Sequence, residues 1–175
     1  MTEDHQKYVK GETMVSIVLS IIISLVFAWL VFPATGVIPM GGMGGIAFDL
    51  LPTTFMIIMM TTVALSILTG ARRKKGAVSP LNLAVPGSGL NLRLARVLPD
   101  NFFLRGLVLA ISGCIIFIPL TIAGLDAAGV GSMTFWTFMG FKAVYGAFLA
   151  VLFTPVILIA ALGAGTRNPA ASSLH

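Results

Sequence analysis

The stretch TMVSIVLSIIISLVFAWLVF, Thr13–Phe32, carries no charge, and no charged residue occurs anywhere between Glu12 and Asp49. About 20 mostly apolar residues, rising roughly 1.5 Å each, are enough to carry a helix across a bilayer core. Lipid offers backbone N–H and C=O groups no partners, so a helix, which satisfies them internally, is the expected form of such a run. The pattern recurs: no charge falls between Asp49 and Arg72, between Arg105 and Asp126, or between Lys142 and Arg167. Four spans are expected, at about 13–32, 50–69, 103–123 and 135–162. The fourth is longer than a span needs, so it tilts or begins at the interface with Phe135 and Trp136.

Composition agrees. The chain is 57% hydrophobic and only 10% charged, with a mean hydropathy of +1.01. A soluble domain carries about 25% charged residues, so these few charges cannot coat a water-facing surface. Disorder needs the opposite balance, low hydrophobicity and high charge. An all-α integral membrane protein is what remains.

The cations are sorted as well as scarce. Lys7 and Lys10 precede the first span, and Arg72, Arg73, Lys74, Lys75, Arg93, Arg96 and Arg105 lie between the second and third. Arg167 follows the fourth, leaving Lys142 as the single cation of eleven on the other side. The positive-inside rule then places both termini and the central segment in the cytoplasm, as expected of a multi-pass protein of a bacterial inner membrane. Arg72, Arg73, Lys74 and Lys75 are read as topology determinants that also meet anionic lipid headgroups. No DNA-binding motif accompanies them, so nucleic acid is not an expected partner. The first apolar run exceeds a signal-peptide core, and Phe32-Pro33-Ala34-Thr35 is no A-x-A cleavage site, so it is read as a retained span.

The expected organisation is a cytoplasmic segment 1–12, a first hairpin 13–75, a linker 76–102, a second hairpin 103–166 and a tail 167–175. Slid against itself, the chain matches at an offset of about 90, becoming 93 through the outer turns. Val18-Leu19 meets Val108-Leu109, Phe27 meets Phe117, Gly36-Val37 meets Gly129-Val130, Phe48 meets Phe141 and Gly70-Ala71 meets Gly163-Ala164. Two tandem hairpins starting on one side make a parallel pseudo-repeat, unlike the inverted repeats of many transporters. Breakers fill the start of the linker, from Ser79-Pro80 to Pro86-Gly87-Ser88-Gly89. Leu90, Leu94, Val97 and Leu98 then recur at helical spacing, with Asn91, Arg93 and Arg96 set apart from them, which predicts a short interfacial helix. Asp100 or Asn101 is placed to cap the third span.

Ionisable residues within spans are functional candidates by default. Lys142 and Asp49 fall at equivalent positions of the two repeats. They are read as an outer-face ion pair joining the hairpins or as a snorkelling lysine, with an ion path as the functional alternative. Met40 and Met43 in a glycine-rich turn, with Met56, Met59 and Met60 beyond it, raise a Cu(I) site. Ordinary packing is preferred, because methionine is a flexible filler and no His or Cys stands nearby. Neither a metal nor a cofactor is expected. Cys114 lies mid-span with no Cys or His neighbour. Pro119 and Pro155 interrupt the third and fourth spans and should kink them.

Small residues recur every fourth position: Ser16, Ser20 and Ser24; Gly106, Ala110 and Cys114; Ala143 with Ala147; and Gly146 with Ala150. Such stripes let helix backbones approach closely, within one bundle or between subunits. Catalysis is not expected, since apart from Asp49 the spans hold no Asp, Glu or His to serve as base or ligand. The expectation is a non-catalytic protein that self-associates or docks to a membrane complex as a homo-oligomer or with a membrane protein partner. The alternative is a small oligomeric permease or channel for a hydrophobic solute or ion. Its polar lining would be thin: Ser20, Ser24, Thr61, Thr62 and Ser112.

Overall fold

The computed structural model describes residues 3–32, 36–75 and 90–163. In chain order the elements are α1 (Glu3–Val31), β1 (Val37–Pro39), α2 (Ile46–Lys74), α3 (Leu90–Val97), α4 (Phe102–Ala127), β2 (Ser132–Thr134) and α5 (Phe135–Leu162). Helices α1, α2, α4 and α5 are each long and apolar enough to cross a membrane. α1, α2 and α4 overrun the expected spans, because backbone hydrogen bonding carries a helix past the point where hydrophobicity stops. The linker breakers at 76–89, the tail and Arg167 lie outside the described residues, as do the side chains of Leu90, Asn91, Arg73 and Arg96.

The fold departs from an all-helical reading at one end. β1 and β2, from the two turns, pair antiparallel with Val37 opposite Thr134, Ile38 opposite Met133 and Pro39 opposite Ser132. Met40 N–H extends the clasp by donating to the Gly131 carbonyl at 2.9 Å. The glycine-rich turn between β1 and α2 needs its glycines. Gly44 sits at φ +84, and a Cβ on Gly45 would lie 2.6 Å from the Gly41 carbonyl oxygen.

Beneath the clasped turns the helices exchange partners. α1 packs along α5, and α2 packs along both α4 and α5, whereas α1 and α2 touch only slightly. The helices of a sequential hairpin are therefore not the packing units, contrary to what hairpin connectivity alone suggests. α4 reaches α5 through aromatic side chains, with Phe117 edge-on to Phe148 and Phe153. α5 is apolar all round its circumference and is the most enclosed helix, as such a helix should be.

Small residues make the close contacts. On α1 every fourth residue is buried, through Glu12, Ser16, Ser20, Ser24 and Ala28, and on to Phe32 just past its end, while Val15, Leu19, Ile22, Val26 and Trp29 are exposed. This arrangement is inside out for water and appropriate for lipid, where large apolar groups gain nothing from facing one another. A Cβ on Gly146 of α5 would lie 2.8 Å from Ser24 Oγ and 3.4 Å from the Ser20 carbonyl. On the α2–α4 seam a Cβ on Gly106 would lie 2.8 Å from Met59 Sδ, and Gly113 is held directly against Ile58. Ala110 is fully buried between these glycines.

α3 forms where the leucine spacing predicts it, and of the predicted apolar set Leu98 packs inward whereas Leu94 and Val97 do not. Ala95 and Leu98 are buried in the cluster with Val156–Ala160 of α5, while Leu94 and Val97 face outward. The small Ala95 lets α3 approach α5, and the bulkier Leu94 and Val97 are turned to the groove beside α4. Asn101 is the α4 cap: its Oδ1 accepts from Phe103 N–H at 2.9 Å and Leu104 N–H at 3.3 Å.

Candidate functional site

Asp49 stands in the first turn of α2 and Lys142 two turns into α5, both near the clasp. Lys142 Nζ lies 2.7 Å from Asp49 Oδ2, with the lysine side chain 1% exposed and the aspartate 12%. Nζ also donates to Thr53 Oγ1 at 2.9 Å, and that hydroxyl donates to Asp49 Oδ2 at 3.2 Å. The three groups close a triangle of hydrogen bonds in which Asp49 Oδ2 accepts from both Lys142 and Thr53. The ammonium further lies 5.4 Å from the centre of the Phe138 ring. A lone ammonium or carboxylate at this depth would be prohibitively costly, and each ion here supplies the other's compensation.

One turn deeper the same interface carries a second buried polar contact, between Thr54 Oγ1 and the Tyr145 hydroxyl at 2.7 Å. Phe138, Phe141 and Tyr145 stack successively along α5.

The separation of α1 from α2 leaves a cleft of about 330 Å³ beside this triangle. Ile23, Phe27, Phe48 and Met56 give it an apolar lining, and Asp49 and Thr53 stand among the residues that border it. Ser24 is 2% exposed, yet its Oγ has no hydrogen-bond partner. Most buried hydroxyls in proteins are bonded, so this one is an exception, enclosed in the α1–α5 seam against Gly146.

The other predicted residues fall in separate places. Ser16, Ser20 and Ser24 lie in the α1–α5 seam and Gly106 and Ala110 in the α2–α4 seam, all buried; Ala143 and Ala147 are half-buried. Met40 packs in the aromatic cluster around Phe135 and Phe138, Met43 is 96% exposed and Met59 lies on Gly106. These are three different environments. Thr62 and Ser112 hydroxyls bond back to the carbonyls of Ile58 and Val108, both at 2.7 Å. Ser112 lines a groove of about 450 Å³ beside α3. Among the described residues no group of three or more His, Cys, Asp or Glu side chains comes together to hold a metal.

At the opposite end, Arg72 is paired with Glu12 and lies 5.5 Å over the Tyr8 ring, while Lys74 and Lys75 are exposed. The Tyr8 hydroxyl meets Thr69 Oγ1 at 3.1 Å. Arg105 is 2% exposed and donates to Ser66 Oγ. Sequence reading passed over the Glu12–Arg72 pair, although a signal existed: Glu12 continues the every-fourth-residue register of Ser16, Ser20 and Ser24.

The apolar outer faces and four bilayer-length helices are those of a multi-pass membrane protein. No family model, curated protein or solved structure matches the chain.

Proposed function

We propose that this is a non-catalytic inner-membrane protein, with both termini cytoplasmic, that takes a hydrophobic solute laterally from the bilayer into the cleft between α1 and α2. One observation carries the reading: two consecutive membrane-length helices stay apart and leave an apolar cavity of about 330 Å³, within the usual size range of small-molecule sites. The exchange of partners supports a parallel pseudo-repeat, since α1 on α5 and α4 on α2 are equivalent contacts under the offset that aligns the halves. The clasp and the Asp49–Lys142 pair then hold the two halves in register at the outer end. Self-association through small-residue stripes has less support, because the serine stripe of α1 and Gly106–Ala110 of α4 are spent on contacts within the chain.

The test is photolabelling with a diazirine-bearing alkane in nanodiscs, with labelled positions read by mass spectrometry. Labels concentrated on Ile23, Phe27, Phe48 and Met56, and lost when Met56→Trp fills the cleft, support the reading. Labelling spread evenly over lipid-facing residues such as Leu19 and Ile115, and unaffected by that substitution, overturns it.

A further inference from the structure

The groove beside α3 shares no lining residue with the α1–α2 cleft. We infer that it is a second and independent site, which seats an acyl chain of an anionic phospholipid with the head at Arg93. The groove holds about 450 Å³ between α3, α4 and α5. It starts at Leu94 and Val97 of α3, beside the first turns of α4, and runs inward to Ile116 and Phe117. On α5 it runs from Val156, which packs in one cluster with Ala95 and Leu98 of α3, back to Leu152. From Val108 to Ile116, α4 rises roughly 12 Å at about 1.5 Å per residue. That is most of the ~15 Å hydrocarbon depth of one leaflet, so the groove has the reach of a single lipid tail.

The wall offers a tail and nothing else. Among the residues that line it only Ser112 is polar, and its hydroxyl already donates to the Val108 carbonyl at 2.7 Å. The mouth is different. Val97 is 87% exposed there, and Arg93 stands one turn before it, on the same side of α3, with its side chain exposed. A cation beside an apolar groove at a helix-bundle end matches a phosphate at the headgroup level, with the tail covering Val97 and Leu94. The nearest acid in sequence, Asp100, borders a separate cavity with Lys74 and Arg105. A zwitterionic head would bring its own ammonium toward Arg93, so the site favours a head with net negative charge.

The experiment uses the full chain in phosphatidylcholine nanodiscs doped with a trace of phosphatidylglycerol or phosphatidylcholine, each carrying a diazirine at the same mid-chain carbon. Labelling at Val108, Ser112, Ile116 and Leu152 is read by mass spectrometry and compared with labelling at Leu19 and Ile22 on the outer face of α1. The glycerol lipid should be favoured about fivefold in the groove relative to α1, the preference that one surface cation supports. Arg93→Gln, a change at an exposed position, should bring that ratio close to one, and added salt should narrow it in the unaltered chain. Equal ratios at the groove and on α1, or a preference that survives both Arg93→Gln and added salt, overturns the assignment. So does a groove that neither lipid labels, as occupation by another protein helix would produce.

Discussion

Lys142 of α5 and Asp49 of α2 meet at 2.7 Å although each stands in a different half of the chain. Their contact joins the two helices on which the others pack, since α1 lies on α5 and α4 lies on α2. With the β1–β2 clasp just beyond it, the pair closes one end of the bundle. The Glu12–Arg72 pair links α1 to α2 at the other end. In between, α1 and α2 are free to stand apart, and the cleft is the consequence.

Removing one ion of the pair should cost more than removing both. Lys142→Met strands the Asp49 carboxylate in a nearly dry site and should destabilise the bundle by about 3–5 kcal/mol. The double variant Lys142→Met with Asp49→Leu should recover most of that loss, because a buried ion pair is often replaceable by well-packed apolar groups. Unfolding in graded denaturing detergent gives both values. A single variant as stable as the parent would mean that the pair does not hold α2 to α5.

The α1–α5 seam should reject bulk. Gly146→Leu places carbon where Ser24 Oγ and the Ser20 carbonyl stand, and overpacking of this kind costs about 1–3 kcal/mol. The same change at Gly140, where nothing lies within 4 Å, should be nearly neutral. Thermal unfolding of the two variants side by side checks the contrast.

The clasp should be lockable. Val37 and Thr134 are paired residues of β1 and β2, and paired strand positions lie within the Cα separation of roughly 4.4–6.8 Å that a disulfide spans. Val37→Cys with Thr134→Cys, in a Cys114→Ser background, should keep the two halves together on a non-reducing gel after trypsin cuts at the basic run. Separation of the halves would mean that the turns do not pair.

Orientation is testable at the same turn. Met43 is 96% exposed, so Met43→Cys should react with a membrane-impermeant maleimide added to intact cells, whereas Lys75→Cys should react only after the membrane is opened. The reverse pattern would invert the topology.

Arg72 offers a milder contrast. Its side chain is 37% exposed, so Arg72→Gln should lose no more than about 1 kcal/mol, the range of solvent-accessible pairs. Raising the salt should narrow the difference from the parent further, as screening predicts. The detergent-unfolding assay used for Lys142 measures it.

Much of the architecture was written in local chemistry. Thr13–Phe32 has no charge, and lipid leaves such a run one way to satisfy its backbone, so the helices followed from hydrophobicity and length. The serine stripe of α1 and the glycine and alanine of α4 identified the faces that approach closely, because only small side chains permit it. Asp49 and Lys142 stood out as ions bordering or interrupting otherwise uncharged spans. Other features left little trace. Nothing in Val37–Pro39 alternates for long enough to announce a strand, and β1 exists because β2 is brought beside it. The leucine spacing of α3 marked a helix but could not say that Ala95 rather than Leu94 would be the inward residue.

The sequence alone thus determined the four bilayer-length helices, the placement of the charges and the small-residue faces, since each depends on neighbours a few positions away along the chain. Tertiary structure decided which helix lies against which. Backbone periodicity shows that α1 has a face for close packing, but whether that face meets α2 or α5 depends on shape across more than a hundred residues of chain, in the fit of Ser24 on Gly146. That choice parts α1 from α2, and the cleft exists because of it.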